Sequence, residues 1–262
     1  NNDDAYRTAL ALHGAGAHVV VVDLRRDLRG ELIKAVRDAG INVMSGHAVS
    51  IAAGTQRIAR VEIAPVNEDG SALLDDPIHM DCDLLAMSGG LSPAVHLHSQ
   101  ARGKLGWDER LLCFKPTTTH EASVNAGAGN GVFDIEKAVA EGMKAGDVAA
   151  KAAGFETDTG EPHAVTAPKM SHRPLAAWKI TNGHGPGQGP KAVVDFQNDV
   201  TASDVQLAAR EGYQSVEHVK RYTTLGMATD QGKTSNINGL AILADTPVSY
   251  THLRAHETMS KL

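Results

Sequence analysis

The chain has 262 residues, 42% hydrophobic and 21% charged, with 25 Lys and Arg against 31 Asp and Glu and a net charge of -6. This is a globular composition long enough for two domains, and it excludes wholesale disorder and any electrostatic drive toward nucleic acid or a membrane surface. Two cysteines, Cys82 and Cys113, exclude a disulfide framework or a four-cysteine metal or iron–sulfur site, and no apolar run reaches the roughly 20 residues of a bilayer span, so a cytoplasmic protein is expected.

The opening Asn1-Asn2-Asp3-Asp4 has no initiator Met and runs straight into a helical pattern with Ala5, Leu10 and Leu12, which predicts an internal segment of a longer protein. That helix ends at Gly14 and Gly16. His18 to Asp23 is a β-branched run of the kind buried in parallel sheets, and Leu28, Leu32, Ile33, Val36 and Ala39 form a helical stripe closed by Gly40. Ile41 to Met44 is a second short strand. Val49 to Ile63 and Ser71 to Met80 read as an antiparallel meander turning at Asn67-Glu68-Asp69-Gly70. Asp83 to Met87 reads as a buried returning strand that ends in Ser88-Gly89-Gly90. The expected fold class is α/β: residues 1–154 form part of a two-dinucleotide-fold, FAD/NAD(P)-binding domain that is incomplete at its N-terminal side.

Chemistry in such a sheet sits at strand ends. Asp23 is placed to hydrogen-bond a ribose diol, or else to face solvent as a plain strand-end acid; Arg25 and Arg26 beside it can pair with Asp23 or be solvated, and solvation is the expected state. The glycine-rich turn expected before the first helix is absent, and the carboxylates of Asp3 and Asp4 in its place would repel a pyrophosphate. A second glycine cluster, Asn125-Ala126-Gly127-Ala128-Gly129-Asn130-Gly131, precedes a helix from Asp134 to Ala153 with Ile135, Ala138, Val139, Met143 and Val148 on one side. Backbone N–H groups at Gly127, Ala128 and Asn130 are candidates for nucleotide contact, and Gly89 permits close approach of a cofactor; a tight turn without a ligand is the alternative at both places. His96-Leu97-His98 lacks the further ligands that a metal site needs, and His13, His18, His47 and His79 read as surface or cap residues.

Residues 155–190 lose apolar periodicity and carry Pro162, Pro168, Pro174, Pro186 and Pro190 around the run Gly183-His184-Gly185-Pro186-Gly187-Gln188-Gly189, which predicts an ordered linker strap. Residues 191–244 predict a small helical domain. A strand-like entry at Ala192 to Phe196 leads to a helix from Ala202 to Glu211, capped by Thr201 with Asp204 in the reciprocal position. A second helix, Val216 to Thr224, is capped by Ser215, and a polar loop from Met227 to Ser235 precedes a short helix ending at Leu243. Residues 245–262, including His252 and His256 at i, i+4, show no apolar period and resemble translated adapter read-through, so a non-native tail is expected.

The spacing of residues 191–244 resembles a bacterioferritin-associated-ferredoxin-like 2Fe–2S module whose four ligand positions here are Asp195, Gln197, Asp230 and Ser235, none of them Cys; no cluster is expected. Behind a dinucleotide-type domain, this cluster-less form resembles the α subunit of heterotetrameric sarcosine oxidase. The runs that carry the likeness are Asp195-Phe196-Gln197-Asn198-Asp199-Val200-Thr201, Glu217 to Met227, Gly232-Lys233-Thr234, and upstream Met87-Ser88-Gly89-Gly90 with Ser92-Pro93 and His96 to Gln100. The resemblance implies a complex with β, γ and δ subunits that demethylates sarcosine oxidatively to glycine, hydrogen peroxide and 5,10-methylenetetrahydrofolate. It implies NAD in the α subunit, FMN between α and β, FAD in β, and an isolated segment without activity. Gln231, Gly232, Lys233, Thr234 and Ser235 then suit the FMN phosphate, or form a scaffold loop that merely packs. No catalytic acid, base or nucleophile stands out. Related α subunits of opine, proline or cyanide-forming dehydrogenases, and a non-catalytic scaffold, are the rival readings.

Overall fold

The computed structural model describes residues 1–68, 70, 73–74, 76–157, 160, 164–165, 167, 174–178, 180, 191–213 and 215–246. Asp69 of the expected turn, Pro162, Pro168, Pro186, Pro190, the 183–189 glycine run and the tail from 247, with His252 and His256, lie outside the described residues. The chain divides into two compact units: unit 1 is Asn1–His47 with Leu84–Leu175, and unit 2 is Ala48–Asp83 with Ala176–Leu262. The meander thus groups with the C-terminal part of the chain.

Unit 1 begins with α1 (Asp4–Gly14), β1 (Val20–Asp23), α2 (Glu31–Asp38) and β2 (Asn42–Ser45), with β1 and β2 paired in parallel from Val20–Asn42 to Asp23–Ser45. The helical stripe of α2 buries Leu32, Ile33 and Val36 against Tyr6 and Ala9 of α1, Val21 of β1, Leu28 and Ile41. At about 1.5–3 kcal/mol for each fully buried aliphatic side chain, this cluster is what holds the β-α-β unit together. Gly40 adopts φ 78, the left-handed conformation that ends α2 and lets the chain turn into β2.

The expected strand at Asp83–Met87 does not form. Residues 84–90 carry no strand pairing, and Leu84 and Met87 are 67% and 75% exposed. Among the described residues β1 and β2 pair only with each other, so no ladder is present for this apolar segment to join, and its composition alone cannot hold it in a sheet. Unit 1 continues with α3 (His96–Gln100) and then β6 (Lys104–Asp108) and β7 (Cys113–Thr118), which follow three strands of unit 2 in the chain and form an antiparallel hairpin. This hairpin is absent from the expected elements because Gly103, Gly106 and Pro116 interrupt its alternation. Trp107 and Phe114 pack edge to face across it at 5.1 Å. After a 3₁₀ turn at Gly127–Asn130 comes α4 (Ile135–Ala152), whose N-cap Asp134 accepts from the Lys137 N–H. Its apolar side is not buried: no residue of α4 is buried, and Ile135 and Val148 are both 47% exposed.

Unit 2 contains a three-stranded sheet in the order β3 (His47–Gly54, from Ala48 on), β4 (Ile58–Pro65) and β5 (Ile78–Asp81), with β4 and β5 antiparallel. The expected turn shows as the Gly70 N–H donating to the Asn67 carbonyl. The C-terminal part holds β8 (Val193–Asp195), β9 (Val200–Thr201), α5 (Ala202–Arg210), α6 (Val216–Thr223) and α7 (Asn236–Asp245) around Val194, Val200, Val205, Ala208, Val219, Leu225 and Ile242. Thr201 and Asp204 form the full capping box of α5. Ser215 stands at the N-cap of α6, but its side chain makes no capping bond; its carbonyl accepts from the His218 and Val219 N–H groups instead.

Candidate functional site

At the carboxyl end of β1, Asp23 is 1% exposed and fully engaged. Its Oδ1 accepts from the Arg25 N–H and Nε–H at 2.9 and 3.1 Å, and its Oδ2 accepts from Arg25 Nη2 at 2.7 Å and from the Tyr6 hydroxyl at 2.8 Å. The same guanidinium donates from Nη1 to Asp3 at 2.8 Å. Arg25 is therefore 8% exposed and ion-paired, where solvation was expected, and Asp23 does not face solvent. Distance along the chain decides this: Asp3 and Tyr6 come from α1 and its N-cap, which only packing brings to the strand end. Burial alone would raise the Asp23 pKa, but the hydrogen bonds and charge of Arg25 outweigh it and hold the carboxyl below its ordinary value. Burial and the neighbouring Asp23 charge push the Tyr6 hydroxyl well above its usual range. A carboxylate has about four acceptor positions; all of those on Asp23 are used inside the protein, so in this arrangement it has none left for a ribose diol.

The glycine cluster is also engaged, by a residue that no motif or capping rule singles out. Glu141, two turns into α4, accepts from the Gly127 N–H on Oε2 and from the Asn130 side-chain amide on Oε1, both at 2.7 Å. Gly127 has φ 61, and a Cβ there would lie 3.5 Å from Ala138. The turn thus docks on the side of α4 through Ala138 and Glu141, which are related by i, i+3, rather than pointing into the helix N-terminus. Beside it is an open apolar cavity of about 470 Å³ lined by Leu91, Ala128, Val132, Phe133, Ile135 and Ala138. Gly89 is solvent-exposed, and nothing lies within 4 Å of where its Cβ would be. The adjacent Ser88 hydroxyl donates to the side chain of Asn2 at 2.6 Å.

His98 is buried on the short helix α3. The Asn125 amide donates to its Nδ1 at 3.0 Å, so Nε2 carries the proton and donates to the Lys104 carbonyl, also at 3.0 Å. It orders the entry to the glycine turn. Among the described residues no group of three or more His, Cys, Asp or Glu is placed to hold a metal ion.

In unit 2, Asp195 and Ser235 share a hydrogen bond, whereas Gln197 bonds to Thr229 and Asp230 bonds within its own loop. Asp195 is 2% exposed; its Oδ1 accepts from the Gln197 and Asn198 N–H groups at 2.9 and 3.2 Å, and its Oδ2 accepts from the Gly226 N–H at 2.8 Å and the Ser235 hydroxyl at 3.5 Å. Gln197 accepts from the Thr229 hydroxyl at 2.6 Å, next to Asp230. Within the polar loop, Asp230 takes the Gly232 N–H, the Thr234 N–H and the Thr234 hydroxyl at 3.1, 3.2 and 2.6 Å, and these hydrogen bonds depress its pKa. Gly232 and Ser235 are buried, while Gln231, Lys233 and Thr234 are exposed. The expected phosphate cradle is thus filled by the protein's own carboxylate, which leaves the Lys233 ammonium as the cation the loop presents.

The parallel β-α-β unit makes unit 1 an α/β protein, the class expected from the sequence. The L-proline dehydrogenase from P. horikoshii has the same fold, with a TM-score of 0.54 and 19% identity over 94% of this chain and 51% of that one. The sequence profile of the sarcosine oxidase A3 domain matches residues 189–258. Sarcosine oxidase subunit alpha of Corynebacterium sp. strain P-1 is 38% identical over 245 residues, which is 93% of this chain and 25% of that protein. The same subunit from Corynebacterium sp. strain U-96 is 37% identical (93% and 25%), and that from Rhizobium meliloti strain 1021 is 33% identical (93% and 23%). The chain is homologous to the sarcosine oxidase alpha-subunit family and spans about a quarter of the length of the curated relatives it matches. Among the described residues, no helix is long and apolar enough to cross a membrane.

Proposed function

We propose that this chain is the nucleotide-holding part of a sarcosine oxidase alpha subunit, working in a cytoplasmic heterotetramer with β, γ and δ subunits. The complex converts sarcosine, oxygen and tetrahydrofolate into glycine, hydrogen peroxide and 5,10-methylenetetrahydrofolate. The observation that carries this reading is identity of 33–38% to subunits of that name across 93% of the chain. The redox chemistry belongs to the bound flavins, FAD in β and FMN between α and β. The residues of this chain bind and orient.

NAD fits unit 1 at the glycine turn and not at the end of β1, where Asp23 is saturated and Asp3 and Asp4 add negative charge beside the start of α1. Ala128, between Gly127 and Asn130 in the turn, lines the apolar cavity, and that combination suits the neutral ring and sugar portions of a nucleotide. Gly89 leaves room nearby on the same unit. A phosphate does not fit the loop at Gln231, Gly232, Lys233, Thr234 and Ser235 as folded, since Asp230 holds its donors. We assign Lys233 alone to the FMN phosphate and the other four to scaffold. Residues 191–244 serve as a cluster-less relative of a 2Fe–2S module in which the Asp195 carboxylate gathers the N–H groups of two loops.

Mass spectrometry of nucleotides released from the intact complex tests the reading: NAD, FMN and FAD are expected, with NAD lowered by Gly127→Val and FMN lowered by Lys233→Ala. Unchanged NAD in the first variant removes the turn from the site. Stoichiometric iron and labile sulfide in unit 2 would instead favour a related amine or proline dehydrogenase subunit.

A further inference from the structure

Two carboxylates of unit 1, Asp23 at the end of β1 and Glu141 against the glycine turn, differ in what they have left to offer. Asp23 has its oxygens filled by four donors. Glu141 is only partly buried, and each of its oxygens accepts one hydrogen bond, from the Gly127 N–H and the Asn130 amide. With about four acceptor positions on a carboxylate, about two remain on Glu141. The two bonds it makes are both 2.7 Å, one to each oxygen, so the group is held in place, and Ala138 on the same helix face lines the apolar cavity. A vicinal ribose diol needs such a group: a fixed carboxylate with a free lone pair on each oxygen, next to a surface that takes a flat ring.

We propose that Glu141 is the ribose-binding acid of unit 1 and the determinant of dinucleotide choice. It accepts the 2′- and 3′-hydroxyls of NAD, and its charge rejects the 2′-phosphate of NADP. This rests on the reading that the Gly127–Asn130 turn holds a dinucleotide. Like-charge contact at hydrogen-bond range is strongly unfavourable in a part-buried site, so one carboxylate both shapes the turn and sets the preference.

The test uses the full-length alpha subunit in its assembled complex, stripped of nucleotide and titrated calorimetrically with NAD and with NADP, alongside amide exchange across residues 127–132. Wild type should favour NAD, Glu141→Gln should narrow the NAD-to-NADP affinity ratio by about tenfold or more, and Glu141→Ala should weaken NAD by about tenfold, on the scale of a hydrogen bond to a charged group. Exchange should stay within about twofold of wild type in Glu141→Gln, whose amide oxygen still accepts from Gly127, and quicken in Glu141→Ala. A ratio unchanged in both variants overturns the proposal even if Gly127→Val abolishes NAD binding. A wild-type complex that binds neither dinucleotide overturns the underlying reading, and the proposal with it.

Discussion

Arg25→Ala should be the most damaging single change in the β-α-β unit, and its damage should depend on pH. Three guanidinium nitrogens make hydrogen bonds of 2.7, 2.8 and 3.1 Å to Asp23 and Asp3, carboxylates that are 1% and 2% exposed. Truncation takes the guanidinium charge away from two buried carboxylates, and removing one partner of a buried ion pair costs about 3–5 kcal/mol. The native Asp23 pKa lies below its ordinary value, so the network stabilises above the unfolded carboxyl pKa of about 3.9 and its contribution fades as pH falls through the lower folded value. In Arg25→Ala burial is opposed only by what remains, chiefly the residue-25 N–H, and the Asp23 pKa should rise from its native value toward or above the unfolded one. The mutant deficit should therefore be full at neutral pH and shrink by about 1 kcal/mol or more near pH 4.5, because protonation relieves the mutant and not the parent. Urea unfolding of unit 1, followed through Trp107 fluorescence in a Trp178→Phe background at both pH values, measures this, and a double-mutant cycle with Asp23→Ala isolates the pair. A deficit below about 1 kcal/mol at neutral pH, or one that does not shrink with acid, would refute the reasoning.

Asp195→Ala should lower the stability of unit 2 by about 2–4 kcal/mol, since three backbone N–H groups and the Ser235 hydroxyl lose their acceptor, with Asp195→Asn milder; thermal unfolding distinguishes the two. In Gly103→Ala the new Cβ would lie 2.3 Å from the His98 ring, so His98 must leave its Asn125 and Lys104 bonds; a loss of about 2 kcal/mol and a shifted His98 imidazole resonance are expected. Burial pushes the Cys113 thiol up to about 11, with the Asp108 charge adding to it, so a thiol-specific reagent at pH 8 should label Cys82 and spare Cys113 until unfolding; early labelling of Cys113 on mass mapping would contradict its burial.

The sequence made the local elements legible. The β1 and β2 runs, the α2 stripe ended by Gly40, the α4 limits at Asp134 and Ala153, and the Thr201–Asp204 capping box all depend on residues within a few positions of one another, where periodicity and capping chemistry operate. Periodicity was silent on burial. It predicted α4 as a helix, yet leaves that helix without a buried residue, and it made Asp83–Met87 look like a strand although no neighbour supplies a ladder.

The site itself is a matter of long-range pairing. Arg25 reaches Asp3 across 22 positions, Glu141 reaches Gly127 across 14, and Asp195 reaches Gly226 across 31. No spacing rule encodes such partners, because they are chosen when the hydrophobic clusters pack and bring α1 to the end of β1, or the glycine turn to the flank of α4. Local patterning set the β-α-β order, α4 and the capped helix of unit 2, but not the β6–β7 hairpin or the unpaired segment at 84–90. Only the tertiary structure decided which carboxylates are spent on the fold and which keep a lone pair for a ligand, since an acid's availability depends on the donors that packing places around it.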